Sequence, residues 1–314
     1  MLTIFKTENG ILTEEEEITS GVWIDLQDPT MEETSRLSRH FDIDLVDIRA
    51  ALDDEEASRV DLEDGYTLIL VDIPFEEERN DRKAYSTIPL GIIIVKDAII
   101  TVCSEENDVM KVFRKNRVRS LSTKKRMRFV YQVLFRTASV YQNYLRIIDR
   151  RRSNIETRIM DDSTENSDLM DLHELETNLV YFATSLSANN MVLDRLTRYD
   201  RIEQYPEDKE LLEDVMVENR QAIEMTNIYR DILHGTRELV STLINNRMND
   251  IMKILTSITL VMAIPTVISG LYGMNVNGKG MPLSGTPFGF AIISFVTLAI
   301  CCIVMWILHK RQML

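Results

Sequence analysis

All 50 Asp and Glu side chains of this chain lie in residues 1–250, and residues 251–314 contain none. The last part holds only four Lys or Arg, namely Lys253, Lys279, Lys310 and Arg311. The first part therefore carries 32 basic against 50 acidic side chains, a net charge of −18, and the last part carries +4. So clean a division implies that two different solvents surround the two parts. Two uncharged apolar runs stand in the acid-free part: Ile254–Tyr272 (ILTSITLVMAIPTVISGLY) and Phe288–Leu308 (FGFAIISFVTLAICCIVMWIL). A helix of about 20 apolar residues crosses the hydrocarbon core of a bilayer. Either run alone reads as well as a buried core helix. Two of them, joined by the short Gly/Pro-rich segment 273–287, read as a transmembrane hairpin occupying 251–314.

Charge placement orients the hairpin. Arg247 and Lys253 precede it, Lys310 and Arg311 follow it, and the connecting loop has only Lys279. Cytosolic flanks carry the excess of Lys and Arg, so both chain termini are expected in the cytosol, at the cytoplasmic (inner) membrane. The start, MLTIFKTENG, lacks the basic segment and apolar core of a secretory signal. Cys103, Cys301 and Cys302 form no disulfide framework, which suits a reducing compartment. A sequence pI near 4.9 argues against nucleic acid as the main partner, because phosphates call for a basic footprint.

Ahead of the membrane part, the pattern changes once. Residues 1–118 read as an α+β domain. YTLILVDIPF and IPLGIIIVKDAIITVC are β-rich apolar runs. DPTMEETSRLSRHF opens as a helix with Asp28 or Thr30 as cap. Residues 119–250 read as long helices. One follows Thr123, a second follows a cap at Ser163 or Thr164, and a third begins after Pro206. The third has no proline and one glycine, Gly235, before it enters the first apolar run, so it is expected as one helix from about Glu207 to Tyr272, on the order of 100 Å long. Met225, Ile228, Ile232, Leu239 and Leu243 are its expected seam against supporting neighbours.

Two transmembrane helices cannot enclose a pore, so conduction would require several copies with one helix from each around an axis. On the first apolar helix Asn249, Met252, Thr256, Thr259, Ala263, Thr266 and Gly270 recur at alternating spacings of three and four, and Gly273 continues the stripe. Ile268 is expected to face lipid instead. A stripe of small and weakly polar residues suits a pore lining, and it equally suits close helix packing. The lack of acids narrows what a pore could carry. Mg2+ gives up its six waters reluctantly, so a pathway of hydroxyl, amide and backbone oxygens suits a cation that keeps them. The −18 part would supply the long-range attraction.

The sequence SGLYGMNVNGKG closes the first apolar run, with Gly273-Met274-Asn275 preceded by Tyr272. This tripeptide, at the end of the first of two C-terminal spans and behind an acidic α/β domain and a stalk helix, resembles the CorA family of magnesium transporters over essentially the whole chain. The resemblance implies a funnel-shaped homopentamer whose first transmembrane helix lines the pore. It implies an outer mouth at Tyr272, Gly273, Met274 and Asn275, with Asn275 side chains contacting hydrated Mg2+. It implies an inner entrance over Asn249–Thr256, with Asn249, Met252 and Leu255 as constrictions. It also implies a regulatory Mg2+ site between subunits, for which Asp47, after DIDLV, and Asp214, in LLEDV, are the matching acids. Two carboxylates facing each other repel, and a divalent ion removes that repulsion. The alternative for each is a solvated surface charge.

Two positions depart from the family pattern. Leu283 follows Met281-Pro282 where an acid is expected, and Lys279 adds a positive charge to the outer loop. An acidic loop would concentrate cations at the mouth, and this one does not. A zinc-transporting relative, or a transporter of Co2+ or Ni2+, therefore stays in view. The four histidines, His40, His173, His234 and His309, form no ligand cluster in the sequence. No P-loop, nucleophile elbow or HExxH motif argues for an enzyme. A membrane-anchored coiled-coil scaffold would explain the long helices and the hairpin, but not the stripe or the acid-free loop.

Overall fold

The computed structural model describes residues 1–8, 10–79, 82–161, 166–198, 205–275, 280–283 and 285–311. The candidate caps Ser163 and Thr164 and the loop residue Lys279 lie outside them. The chain forms two compact units, Met1–Thr236 and Arg237–Leu314.

The first unit is built on a seven-stranded sheet. Its strands are β1 (Leu2–Glu8), β2 (Ile11–Glu15), β3 (Val22–Gln27), β4 (Arg59–Leu62), β5 (Tyr66–Arg79), β6 (Arg82–Val95) and β7 (Ala98–Cys103), in the order β2-β1-β3-β7-β6-β5-β4. β3 and β7 run parallel and the other neighbours antiparallel. Helices cover both faces, which is why β7 and much of β3 and β5 are apolar without alternation. On one face Ile24, Leu26, Leu68, Leu70, Ile100 and Val102 pack with Leu37 of α1 (Met31–Phe41) and Ile48 of α2 (Leu45–Arg49). On the other, Trp23 lies 4.8 Å from the Phe5 ring and 5.2 Å from Phe129. Phe113 of α3 (Asp108–Arg114) joins them 5.4 Å from Phe129.

The α1 cap is Thr30, not Asp28. Thr30 and Glu33 form a reciprocal capping box, while Asp28 sits at φ 41° in the preceding turn. Beneath Trp23 runs a satisfied polar chain. The indole N–H donates to Thr101 (2.7 Å), Thr101 donates to Asp25 (2.7 Å), and Arg114 closes it on the other Asp25 oxygen (2.5 Å).

α4 (Arg126–Met160) and α5 (Asn166–Leu196) complete the second layer. Asn189 of α5 accepts from the Asp72 N–H (2.9 Å) and donates to the Asp72 carbonyl (2.7 Å), so an amide side chain pairs with β5 as a strand would. α6 runs from Pro206 to Tyr272 as one 67-residue helix with Pro265 inside it.

In the first unit, the buried side of α6 is Leu212, Val215, Asn219, Ala222, Thr226, Leu233 and Thr236, at heptad-like spacing. This corrects the expected seam. Ile228 and Ile232 are 55% and 41% exposed, and Met225, Leu239 and Leu243 are half-buried. The physical reason is that the true contact side is partly polar. Asn219 donates to the Leu186 carbonyl (3.3 Å) and Gln142 to the Glu218 carbonyl (3.1 Å), so the largest apolar residues do not mark it.

The second unit contains the rest of α6 and α7 (Gly289–Lys310). Both helices have apolar stretches long enough to cross a membrane, and almost nothing in those stretches is buried. Their mutual contact is nevertheless ordered: Ser257 is buried, Val261, Ile264, Pro265 and Ile268 are half-buried, and α7 presents Gly289, Ile293, Thr297, Cys301, Val304 and Leu308 at helical spacing. At the α7 end, Lys310 lies over the Trp306 ring at 5.4 Å, an aromatic-cation pair suited to a membrane–water boundary.

Candidate functional site

With about 3.6 residues per turn, Ser257, Val261, Ile264, Pro265 and Ile268 define the half-buried side of α6. Asn249, Met252, Thr256, Thr259, Ala263, Thr266, Gly270 and Gly273 lie roughly 180° away and are all exposed. The small-residue stripe is thus not the surface that packs on α7. Among the described residues nothing covers it. Ile268 belongs to the half-buried side, which overturns its placement toward lipid. Leu260, Val267 and Leu271 are the exposed apolar positions to one side of the stripe.

The threonines of the stripe share one geometry. The hydroxyl of Thr256 donates to the Met252 carbonyl at 2.7 Å, that of Thr259 to Leu255 at 2.8 Å, and that of Thr266 to Met262 at 2.9 Å. Each hydroxyl proton is spent on the helix, so the oxygen lone pairs facing outward can only accept. The stripe is therefore a row of neutral acceptors on an acid-free helix. A cation's coordinated waters are donors, and this surface matches them.

Near the inner end, Asn249, Met252 and Thr256 border a hollow with Asn246, Asp250 and Lys253. Lys253 pairs with Asp250 at 2.9 Å, which neutralises the last acid of the chain. Leu255 is 60% exposed beside the stripe.

At the outer end, α6 stops at Tyr272, and the Gly273 N–H still bonds to the Ser269 carbonyl (2.9 Å). Gly273 has no positive φ, so its backbone angles do not call for glycine. A Cβ would approach the Ser269 carbonyl at 3.1 Å, which is tight. Met274 and Asn275 are exposed. The Tyr272 hydroxyl donates to the Pro282 carbonyl at 3.0 Å, tying the end of α6 to the returning loop. Leu283, the departure from the family pattern, adopts φ 64°. Its carbonyl accepts from the N–H (3.2 Å) and hydroxyl (2.9 Å) of Thr286 and lies directly over Gly289, leaving no space for a Cβ there. The residue standing at the acidic position is thus part of a tight turn into α7.

The two candidate regulatory acids lie on separate elements of the first unit. Asp47, in α2, is half-buried, and one of its oxygens accepts from the Tyr66 hydroxyl at 2.5 Å. Burial and this carboxylate push the Tyr66 phenol up to about 12, so it stays a donor at every physiological pH. Asp214, on α6, is exposed beside Glu213 and the buried Val215. Among the described residues no three His, Cys, Asp or Glu side chains gather as a metal-binding group.

Comparison with known proteins gives the family. The model of the CorA-like Mg2+ transporter protein matches residues 19–310. A cobalt/magnesium transport protein CorA of Methanocaldococcus jannaschii is 30% identical over 299 residues, covering 92% of this chain and 90% of its own. The complete structure of the CorA magnesium transporter from the same organism superposes with a TM-score of 0.82 at 28% identity, over 98% of this chain and 96% of that one. The ZntB cytoplasmic domain from Vibrio parahaemolyticus shares the fold alone, with a TM-score of 0.61 at 11% identity over 78% of this chain and 98% of that domain. A match of this extent makes the chain a member of the CorA-like family of divalent cation transporters.

Proposed function

We propose that this chain takes up Mg2+ across the cytoplasmic membrane as a homopentamer, with both termini in the cytosol. Five copies of α6 surround the pathway, Asn275 rings the outer mouth, and Asn249, Met252 and Leu255 narrow the inner one. The observation that carries this reading is the row of outward-facing threonine acceptors, exposed on the side of α6 away from α7. Neutral oxygens cannot replace the hydration of Mg2+, but they can hold its waters. The ion passes hydrated, and the acidic cytosolic part draws it inward.

Mg2+ is favoured over Zn2+ because the pathway has no thiolate or imidazole face and the tripeptide is Gly-Met-Asn. The M. jannaschii relative is named for cobalt as well as magnesium, so Co2+ belongs among the ions tested. Cytosolic Mg2+ closes the assembly by binding between Asp47 of one subunit and Asp214 of the next. The direct test is uptake into liposomes holding the purified protein, with Mg2+, Co2+, Ni2+ and Zn2+ compared. Mg2+ entry is expected. Zn2+ entry without Mg2+ entry would refute the assignment.

A further inference from the structure

Pro265 has no N–H, so the carbonyl of Val261, four residues earlier, receives no helical hydrogen bond. The proline ring also crowds that carbonyl and tilts it out of the helix. In an apolar surround an orphaned carbonyl is costly, and transmembrane helices with an internal proline recruit a donor from nearby. Here the side of α6 that holds Val261 and Pro265 is the half-buried one. Across it, the Cys301 thiol of α7 lies 3.8 Å from the Val261 oxygen, within reach of a weak S–H donor. Cys301 is half-buried, whereas its neighbour Cys302 is exposed.

We infer that the Cys301 thiol takes the place of the N–H that Pro265 lacks and thereby fixes the course of the pore helix at the proline. This rests on the reading that α6 lines the pathway. Val261 lies between Thr259 and Ala263, and Pro265 directly precedes Thr266. The proline therefore falls in the middle of the acceptor row, and the course of the helix there sets how Thr256 and Thr259 line up with Thr266 and Gly270. Cys301 touches no ion. It is a positioning residue, acting through one carbonyl on the aim of the threonines.

The competing account is that Cys301 merely fills space. A double-mutant cycle on the full-length protein separates the two, because Pro265→Ala returns an N–H to Val261 and removes the need for the thiol. Mg2+ uptake and the thermal unfolding midpoint are read for Cys301→Ala, Cys301→Ser, Pro265→Ala and the two double variants. Loss of one weak hydrogen bond is expected to lower uptake about two- to fivefold in Cys301→Ala. Cys301→Ser, which keeps a donor, restores it, and Cys301→Ala in the Pro265→Ala background has no further effect. Equal losses in Cys301→Ala and Cys301→Ser, or the same loss in both backgrounds, would overturn the inference. Coupled unfolding midpoints with unchanged uptake would overturn the positioning role. The pore reading fails separately, if Thr266→Phe still conducts, and the unfolding cycle decides the hydrogen bond even then.

Discussion

Asn275 is an exposed amide directly after the helix that carries the acceptor row, on a chain with no acid nearby. A side-chain amide can accept from one coordinated water and donate to a loop carbonyl, which an alanine cannot. Asn275→Ala is expected to abolish Mg2+ uptake while the oligomer still assembles, as read by liposome flux and by size in detergent. Unimpaired flux would remove Asn275 from the mouth. Asp72 illustrates a residue whose chemistry is structural. It sits in β5, and burial raises its pKa above the ordinary 3.8 despite help from the Ser185 and Ser58 hydroxyls. A carboxyl harder to ionise in the fold stabilises it fully only below about 3.8. That contribution is lost as pH rises through the higher folded value. Asp72→Asn should therefore raise the unfolding midpoint at pH 7, with the gain vanishing toward pH 3. Trp23 fluorescence in a Trp306→Phe background would follow it. A gain that does not depend on pH would contradict ionisation as the cause.

At the scale of elements, α6 carries most of the proposed pathway, and its two sides can be tested against each other. Thr259→Phe and Thr266→Phe place a ring on the acceptor row and should reduce uptake to background. Leu260→Phe, exposed but off the row, should conduct. Similar flux in all three would mean that the stripe serves packing alone. This element was also the most legible in the sequence. Its length and its entry into the apolar run follow from a stretch between Pro206 and Pro265 with no proline and a single glycine, Gly235, and its stop at Tyr272 from Gly273 directly behind it. The stripe was legible because threonine, alanine and glycine recur among Ile, Leu and Val. The buried side in the first unit was not, since Asn219, Thr226 and Thr236 contribute hydrogen bonds and close approach where a reading by hydrophobicity seeks Ile228 and Ile232. Of the sheet, β5 to β7 stood out as long apolar runs. β1 and β2 are short and partly exposed, although the Asn9-Gly10 dipeptide between them, with Gly10 at φ 80°, is a strong hairpin signal. The contact between Cys301 and Val261 could not be foreseen, because it depends on which face of α7 meets the proline.

At the scale of the whole molecule the question is how cytosolic Mg2+ could regulate its own entry. In the proposed pentamer each of five interfaces places Asp214 of one subunit near Asp47 of the next. Two carboxylates at about 4 Å repel by about 4 kcal/mol at an effective dielectric constant of 20, and a divalent ion between them reverses the sign. A full switch from 1:99 to 99:1 needs a preference for the closed state of about 10,000-fold. Spread over five equivalent sites, each ion need prefer the closed state only about sixfold. Weak sites are therefore sufficient, which suits an ion present at high concentration in cells. Asp47 is already oriented by the Tyr66 hydroxyl, which leaves its second oxygen for the ion, and Asp214 is exposed on the helix that continues to Met252. Asp214→Lys would put a fixed positive charge at the ion's place, so closure should persist when cytosolic Mg2+ is removed. Asp214→Ala should instead abolish most of the protection that Mg2+ gives the cytosolic part against protease, and Asp47→Ala should do the same. Protection by Mg2+ that is unchanged in both alanine variants would place the regulatory ion among other acids of the −18 part. Protection lost in Asp214→Ala alone would keep the stalk carboxylate and replace its partner.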